Sequence, residues 1–329
     1  MSVTLAMFEG SLTHIGKQLH ALDLDIDIWT IDKDGFFHIS GTVVPPEKVR
    51  VDYVWLSQHL NPAGAREAVF DALLRTKSID TLQTFNAGLD DPFYKQIADR
   101  GVRICNSSAQ GVAISEYVLG QVMGVLQPIQ DQRRMQAEHE WAITRFREIS
   151  KTHWLIIGFG PIGQEVAKRV KAFGADVSVI RRSPQASDNV DRAGTMADLP
   201  AYLPHVDIIV IACPLNAETR GSVNAEFFDH VRHGAILVNI ARGPIVDDAA
   251  LIDALDAGRI GTAILDVFHT EPLPTDDPLW AHPNIRITPH TSFAGDGVQD
   301  RWDKLFLENL LRYVNGEELF NVFNPADLT

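Results

Sequence analysis

A hydrophobic run that leads into three closely spaced glycines is the feature that most constrains this chain of 329 residues. Residues 153–157 are mostly apolar, and Gly158, Gly160 and Gly163 follow in the pattern Gly-x-Gly-x-x-Gly. This pattern predicts a strand, a tight turn and a helix. The first glycine permits the turn, the second admits a diphosphate close to the backbone, and the third lets the helix pack on the strand. Free N–H groups at the helix start would face the negative charge.

The residues after the glycines fit the same βαβ unit. Apolar residues recur at helical spacing over 162–173 and would form one face of a helix, which Gly174 would end. Residues 177–180 form another short and mostly apolar run, as expected of the next strand. An ordinary turn at the glycines is the alternative, but this context favours a dinucleotide site.

Two arginines stand where that second strand should end. Arg181 lies eighteen residues beyond Gly163, at the position expected to meet the adenosine ribose. An acidic residue there would bind the ribose hydroxyls of NAD, whereas a guanidinium suits a 2′-phosphate. Arg181 and Arg182 therefore favour NADPH, with NAD as the second candidate cofactor. The alternative is a solvated basic pair on the surface.

The composition predicts a cytoplasmic protein of two domains. Hydrophobic residues make up 45% of the chain and charged residues 22%, enough for a large core. The 29 Lys and Arg against 43 Asp and Glu give a net charge of −14, which disfavours nucleic acid and anionic membranes as partners. Cys105 and Cys213 are too few for a disulfide framework. Residues 1–10 lack a basic signal segment, and no apolar stretch is long enough for a membrane span.

Apolar runs alternate with helical patterns along most of the chain. The strands predicted before the glycine loop are residues 3–8, 26–31, 51–56, 79–85 and 102–105. Those predicted after it, besides 177–180, are 207–212, 235–239, 260–267 and 285–288. Clear helical patterns cover 115–125, 247–257 and 297–314.

These patterns predict an α/β protein with two sheets. The second group of strands predicts a Rossmann-type, doubly wound parallel sheet, and the first predicts a smaller α/β unit. Because the last helical segment follows the last strand, we expect it to return to the smaller unit, which is then discontinuous. We assign residues 1–110 and 298–329 to the smaller domain and 111–297 to the dinucleotide-binding domain, with the helix from Ser115 as a candidate bridge.

Four polar residues follow predicted strands of the second group: Arg242, Asp266, Glu271 and His290. Ligands of open α/β sheets bind beyond the carboxyl ends of the strands, so we expect these residues to converge there. A guanidinium can hold the carboxylate of a 2-oxo acid and polarise its carbonyl. An imidazole can protonate the carbonyl oxygen as hydride reaches the carbon. The set therefore predicts 2-oxo acid reduction.

The two carboxylates have supporting roles in this interpretation. Glu271 beside the imidazole would favour its protonated form and fix its orientation. In the reverse direction, neutral His290 would take the hydroxyl proton. Asp266 would orient Arg242 or extend the charge network.

Each of these residues also has a structural alternative. Arg242 could cap a strand or pair with Asp247, and Asp266 could satisfy loop amides. Glu271 could be a solvated loop residue, and His290 a buried, hydrogen-bonded histidine. The acidic pair at 247–248 is better explained as a helix cap than as a catalytic group.

The same residues resemble the D-isomer-specific 2-hydroxyacid dehydrogenase family, over roughly residues 75 to 325. The spacings, 29 residues from Arg242 to Glu271 and 19 from Glu271 to His290, are similar to the family's catalytic set. The matching motifs are the glycine loop and residues 212–215, 218–221, 239–243, 265–268, 271–272 and 289–291.

The resemblance implies a flavodoxin-like substrate (lid) domain, a Rossmann cofactor domain, a cleft between them and a homodimer built largely through the cofactor domains. It implies that backbone N–H groups of Ala87, Gly88 and Leu89 bind the substrate carboxylate, unless these residues form a simple strand-ending turn. It also implies that the cofactor is bordered by Pro161, Ile162, Cys213, Pro214, Thr219, Ile240, Ala241 and Asp266. Cys213 would pack there rather than act as a redox nucleophile.

Two departures from the family bear on function. Arg181 replaces the acidic residue common among NAD-using relatives, which supports NADP. Residues 1–70 match only loosely, so the physiological 2-oxo acid is not specified.

We expect an NADPH-preferring reductase of a small 2-oxo acid such as glyoxylate or hydroxypyruvate, without a metal. The alternatives are an NAD-dependent D-2-hydroxyacid dehydrogenase for a bulkier acid, or a dinucleotide-sensing, corepressor-like interaction protein. Formate-oxidising relatives are less similar, because their catalytic histidine is partnered by glutamine where Glu271 stands here.

Overall fold

The computed structural model describes residues 2–183 and 187–324. Within these residues, the chain forms two compact units. The first combines residues 2–109 with 297–324, and the second combines residues 110–183 with 187–296. Residues 325–329 of the predicted substrate domain lie outside the described residues, and the functional assignment of each unit remains a prediction.

The first unit is an α/β sandwich. Residues 2–109 contain the strands β1 (Val3–Phe8), β2 (Ile26–Ile31), β3 (Phe37–Ile39), β4 (Thr42–Val44), β5 (Arg50–Leu56), β6 (Ser78–Thr84) and β7 (Arg103–Cys105). They also contain the helices α1 (Glu9–His20), α2 (Arg66–Arg75) and α3 (Pro92–Asp99). The sheet order is β4-β3-β2-β1-β5-β6-β7. The strands from β2 to β7 in this order pair in parallel, which is the flavodoxin-like arrangement expected.

An edge hairpin in this sheet was not predicted. β3 and β4 pair with each other in antiparallel register, and β3 pairs likewise with β2. Ser40 and Gly41 join the two strands with φ angles of 48° and 80°, as in the tight turns that favour hairpins. Each strand has three residues, too few for an apolar alternation to stand out in the sequence.

The second unit contains the larger parallel sheet. Its described residues form the helices α4 (Gly111–Leu126), α5 (Ile129–Ala137), α6 (Pro161–Ala172), α7 (Leu199–Tyr202), α8 (Ala225–His230) and α9 (Asp248–Asp256). Its strands are β8 (His153–Ile157), β9 (Asp176–Ile180), β10 (Arg192–Gly194), β11 (Ile208–Ile211), β12 (Ala235–Asn239), β13 (Ile260–Leu265) and β14 (Ile285–Ile287). The order β10-β9-β8-β11-β12-β13-β14, with every pair parallel, confirms the doubly wound Rossmann-type sheet.

The strands of this sheet are covered on both faces. All four residues of β11 are 0% exposed, which explains why the sequence shows continuous apolar runs instead of alternation. Three of the predicted strands, 207–212, 260–267 and 285–288, extended one or two residues too far, because the chain turns into loops there. β13 ends at Leu265 and β14 at Ile287, so Asp266 and Thr288 begin the loops beyond them.

The last helix, α10 (Val298–Asn315), packs on the first unit. Phe306 stacks on Trp55 with ring centroids 4.8 Å apart, and Trp302 meets Phe85 edge to face. The return of the chain to the first sheet is therefore driven by burial of large aromatic side chains.

No single helix among the described residues is sufficiently long and apolar to cross a bilayer. The bent pair α4 and α5 would meet these limits together by length and composition alone.

Candidate functional site

The glycine loop has the geometry that its sequence predicts. Gly158 has a φ of 98°, and a Cβ there would lie 2.5 Å from the backbone nitrogen of Cys213. A Cβ on Gly163 would lie 2.3 Å from the carbonyl oxygen of Gly158. These two glycines are required by the turn and by the close packing of α6 on the loop.

Gly160 differs from its two neighbours. It precedes α6 with a φ of −76°, which other residues adopt easily. Among the described residues other than its two chain neighbours, no heavy atom lies within 4 Å of the position of a Cβ built on Gly160. The protein itself therefore does not require glycine here. Open space beside the start of a twelve-residue helix is what a diphosphate needs to approach the backbone, so these residues fit a dinucleotide.

Arg181 and Arg182 follow β9 directly. The guanidinium of Arg181 lies over the ring of Phe159 at 5.4 Å from its centroid. Its backbone N–H donates to Gly194, which fixes the start of its loop. Arg181 is half-buried and Arg182 is exposed. Because Phe159 lies between the first two glycines, the contact places the Arg181 guanidinium beside the glycine loop.

Further predicted cofactor residues follow β11 (Cys213, Pro214 and Thr219) and β12 (Ile240 and Ala241). Burial raises the pKa of the Cys213 thiol to about 12, which suits packing and not redox attack. The Thr219 hydroxyl donates to the carbonyl of Pro214 at 2.7 Å and accepts from Asn216 N–H at 2.9 Å. It thus holds its own loop. Ile240 and Ala241 are buried after β12. The cofactor contacts of these residues stay predictions.

His290 and Glu271 are hydrogen-bonded in the second unit. His290 Nδ1 lies 2.8 Å from Glu271 Oε2, and the side chains are 40% and 37% exposed. The other oxygen, Glu271 Oε1, accepts from the backbone N–H of Phe268 at 3.0 Å. The other ring nitrogen of His290, Nε2, therefore does not face the carboxylate. Each oxygen of the Glu271 carboxylate has a hydrogen-bond partner, which fixes its orientation.

The backbone of His290 has an uncommon conformation. Its φ is 51°, in the left-handed region that histidine adopts infrequently. The conformation is held by its neighbours, because His290 N–H donates to the carbonyl of Thr288 at 3.0 Å. Such outliers concentrate at functional sites, where the surrounding structure maintains them.

Asp266 anchors the loop that carries His290. Its side chain is 0% exposed, and it accepts from the backbone N–H groups of Thr291 and Ser292 at 2.9 and 3.0 Å. It also accepts from the hydroxyl of Thr288 at 2.6 Å. The sequence interpretation in which Asp266 satisfies loop amides thus describes a real contact, and those amides directly follow His290.

Two residues of this network were missed by sequence reasoning. Thr288 begins the loop after β14, and its hydroxyl lies 2.6 Å from that of Tyr117 on α4. Thr288 could have been noticed as a polar residue at a strand end. Tyr117 had no signal, because a tyrosine in an apolar helix is usually a packing residue.

Arg242 lies at the start of a short 3-10 helix, Gly243–Ile245. Its backbone carbonyl accepts from the side-chain amide of Asn239 at 3.0 Å, and its Nη1 donates to the backbone carbonyl of Ala241 at 2.6 Å. The next residue, Gly243, packs so closely on the Glu271 loop that a Cβ would lie 2.0 Å from the carbonyl carbon of Phe268. The loops that carry Arg242 and Glu271 therefore touch.

Two further predictions concern backbone loops. Asp247 caps α9 by accepting from Ala250 N–H at 3.0 Å, as predicted. Ala87, Gly88 and Leu89 follow β6 in the first unit. There the carbonyl of Ala87 accepts from the side chain of Asn106 at 2.7 Å. Their role as a carboxylate-binding loop remains a prediction.

Comparison with known proteins places the chain in a family. Residues 119–292 match the family model "D-isomer specific 2-hydroxyacid dehydrogenase, NAD binding domain". Glyoxylate/hydroxypyruvate reductase A of Serratia proteamaculans (strain 568) is 34% identical over 192 residues, or 58% of this chain and 61% of the reductase. The chain thus spans less than two thirds of that relative. Hydroxyphenylpyruvate reductase of Plectranthus scutellarioides is 31% identical over 78% of this chain and 81% of its own length.

A solved structure is similar over nearly the whole chain. It is a D-isomer specific 2-hydroxyacid dehydrogenase from Xanthobacter autotrophicus Py2 in complex with NADPH and MES. It has a TM-score of 0.80 and 29% identity, and the match covers 99% of both chains. The resemblance inferred from the motifs is confirmed: the chain belongs to the D-isomer-specific 2-hydroxyacid dehydrogenase family.

Proposed function

We propose that this protein reduces a small 2-oxo acid to the D-2-hydroxy acid, with NADPH as the preferred cofactor. The observation that carries the proposal is the hydrogen-bonded pair of His290 and Glu271 at the carboxyl edge of a Rossmann-type sheet. Reduction of a carbonyl by hydride requires a group that protonates the carbonyl oxygen beside the bound dinucleotide, and dinucleotides bind at this edge of the sheet.

His290 acts as the proton donor in this proposal. Its Nδ1 donates to Glu271 Oε2 across 2.8 Å, so the transferable proton is on Nε2. The Glu271 carboxylate stabilises the positive charge of the imidazolium and fixes the ring. Bound NADPH supplies the hydride. In the oxidative direction, neutral Nε2 takes the proton of the hydroxyl group.

Arg242 and the loop of Ala87, Gly88 and Leu89 hold the substrate in this proposal. A guanidinium binds a carboxylate through charge-assisted hydrogen bonds and polarises the neighbouring carbonyl. Backbone N–H groups of the loop would serve as additional donors. Cations at the site are needed because the chain as a whole carries a net charge of −14, which repels an anionic substrate.

The preference for NADPH is supported by Arg181. A half-buried guanidinium beside the glycine loop can pair with a 2′-phosphate, which NADH lacks. The Xanthobacter structure is a complex with NADPH. Gly160 and the start of α6 would receive the diphosphate, and NAD would bind the same loop without the Arg181 contact.

Glyoxylate and hydroxypyruvate are the proposed substrates, because the relative from Serratia is named for them. The relative from Plectranthus is a hydroxyphenylpyruvate reductase and matches more of the chain. It favours a bulkier 2-oxo acid as the second candidate. The sensor-like alternative requires cofactor binding without turnover.

We further propose a homodimer assembled through the second unit. Residues 139–147 follow α5 without helix or strand, and they carry Trp141, Ile143 and Phe146 with exposures of 103%, 95% and 56%. Large apolar side chains this exposed mark a protein contact surface. A cytoplasmic location is part of the same proposal, and both cysteines are buried free thiols, as expected in a reducing compartment.

One assay tests the activity. NADPH and NADH oxidation should be compared over glyoxylate, hydroxypyruvate, pyruvate and hydroxyphenylpyruvate, with the wild type, His290→Ala and Arg242→Ala. We expect the wild type to turn over a small 2-oxo acid. His290→Ala should lose nearly all of this turnover while still binding NADPH, and Arg242→Ala should have a reduced kcat/KM. NADPH binding without oxidation across this panel would contradict the proposal and favour a sensor. Light scattering at several protein concentrations tests the dimer.

A further inference from the structure

His269 joins the two loops that carry Arg242 and Glu271. It lies two residues before Glu271, and its Nε2 is 2.8 Å from the carbonyl oxygen of Val246. A carbonyl oxygen only accepts hydrogen bonds, so Nε2 carries the proton and donates it. Val246 directly follows the short helix that begins after Arg242. The bond therefore connects one candidate catalytic loop to the other.

A second contact between the same loops lies beside this bond. A Cβ on Gly243 would lie 2.0 Å from the carbonyl carbon of Phe268 and 2.4 Å from the nitrogen of His269. The backbones are thus pressed together at Gly243 and Phe268. The packing contact limits how close the loops can come, and the hydrogen bond of His269 limits their separation. Two such restraints fix the spacing of the loops.

The surroundings of His269 add a weaker restraint. Asp248 Oδ2, at the start of α9, lies 3.7 Å from His269 Nε2. The His269 side chain is 47% exposed, so this ion pair is screened by solvent. The direct bond to the Val246 carbonyl is the shorter and better defined contact, and it does not depend on a charge on the ring.

We infer that His269 is a positioning residue that sets the distance between the Arg242 loop and the Glu271 loop through its hydrogen bond to Val246. The catalytic consequence rests on the proposed function, because Arg242 holds the substrate and Glu271 orients His290 there. Separating the loops would leave both groups present but misaligned. Small misalignments lower the rate more than they weaken binding.

Two variants separate the hydrogen bond from the bulk of the ring. His269→Leu removes the donor and keeps a side chain of similar volume. His269→Gln retains an amide donor at about the reach of Nε2. His233→Leu is the matched control, because His233 is exposed on the same unit, just before β12, and thus at the opposite edge of the sheet.

We expect His269→Leu to lower kcat for 2-oxo acid reduction about 10- to 100-fold, while the Kd for NADPH changes less than about twofold. His269→Gln should recover activity to within about threefold of the wild type. His233→Leu should behave as the wild type. Unchanged kcat in His269→Leu, or equal losses in the Leu and Gln variants, would overturn the inference.

Hydrogen–deuterium exchange tests the same bond without activity. We expect faster exchange in peptides covering residues 242–247 and 266–272 of His269→Leu, and wild-type exchange in His269→Gln. If the wild type reduces no 2-oxo acid while the two variants show this exchange pattern, the proposed function is refuted and the loop contact is supported. Unaltered exchange in His269→Leu would refute the contact whatever the activity.

Discussion

The Thr288 hydroxyl donates a 2.6 Å hydrogen bond to the buried carboxylate of Asp266. A hydroxyl has one proton to donate, so Thr288 must accept at its other contact, from the hydroxyl of Tyr117 at 2.6 Å. The chain of hydrogen bonds thus runs in one direction, from α4 to Asp266. Because Asp266 also binds the two amides after His290, this chain supports the strained backbone of the proposed proton donor.

Replacing Thr288 should weaken this support. Thr288→Val keeps the shape but removes a donor from a carboxylate that is 0% exposed, at an expected cost of about 1–3 kcal/mol in the free energy of unfolding. Denaturant titration measures the loss. Thr288→Ser keeps the hydroxyl and should stay close to the wild type. Equal stability of the wild type and Thr288→Val would show that the bond contributes nothing.

Replacing Gly160 should affect dinucleotide binding and not folding. In the part of the chain that the structure describes, no heavy atom beyond the two adjacent residues lies within 4 Å of a Cβ at Gly160, so Gly160→Ala should have a wild-type thermal midpoint. The added methyl would obstruct the diphosphate, so titration calorimetry should show at least about tenfold weaker NADPH binding, or about 1.4 kcal/mol. Gly120→Ala on α4 is the control, because a Cβ there likewise lies more than 4 Å from every described heavy atom outside its adjacent residues and the backbone of its own helix. Full NADPH affinity in Gly160→Ala would place the diphosphate elsewhere.

Replacing Arg181 should change cofactor preference. Arg181→Ala removes the group expected to pair with the 2′-phosphate, and hydrogen bonds to charged groups contribute about 1.5–3 kcal/mol. We therefore expect kcat/KM with NADPH to fall about 10- to 100-fold, with little change for NADH. Phe159→Leu, which removes the ring under the guanidinium, should produce a smaller loss in the same direction. An equal fold-loss of kcat/KM with both cofactors would indicate that Arg181 does not recognise the 2′-phosphate.

Replacing His59 should reduce sensitivity to mild acid. Burial, with the ring of His14 4.8 Å away, lowers the pKa of His59, and Asp303 opposes the shift. The folded state thus favours the neutral ring. The associated stability is present above the unfolded-state pKa of about 6.5, and it is lost as pH falls from there through the lower folded-state pKa.

The wild type should therefore lose more unfolding free energy between pH 7 and pH 5 than His59→Gln does. Urea titrations at several pH values provide the comparison, and His233→Gln, at an exposed position, serves as control. Parallel pH curves for the wild type and His59→Gln would mean that His59 does not contribute to acid sensitivity.

The sequence determined the local elements and their order. The apolar runs at residues 26–31 and 235–239 became β2 and β12 without a change of bounds. The glycine pattern defined the turn before α6, because its constraints act between residues close in the chain. The sequence also predicted that Glu271 and His290 lie close together, since polar residues at the ends of parallel strands meet at one edge of the sheet.

Tertiary structure decided how the candidate site is held. Tyr117 and Thr288 are 171 residues apart in the chain, and His269 and Val246 are 23 apart. No periodicity links such positions, because these pairs form only after separate strands and helices have packed. The short β3–β4 hairpin depends in the same way on the neighbouring strand β2. Local patterns thus specified which elements form, whereas long-range packing chose the hydrogen bonds that orient them.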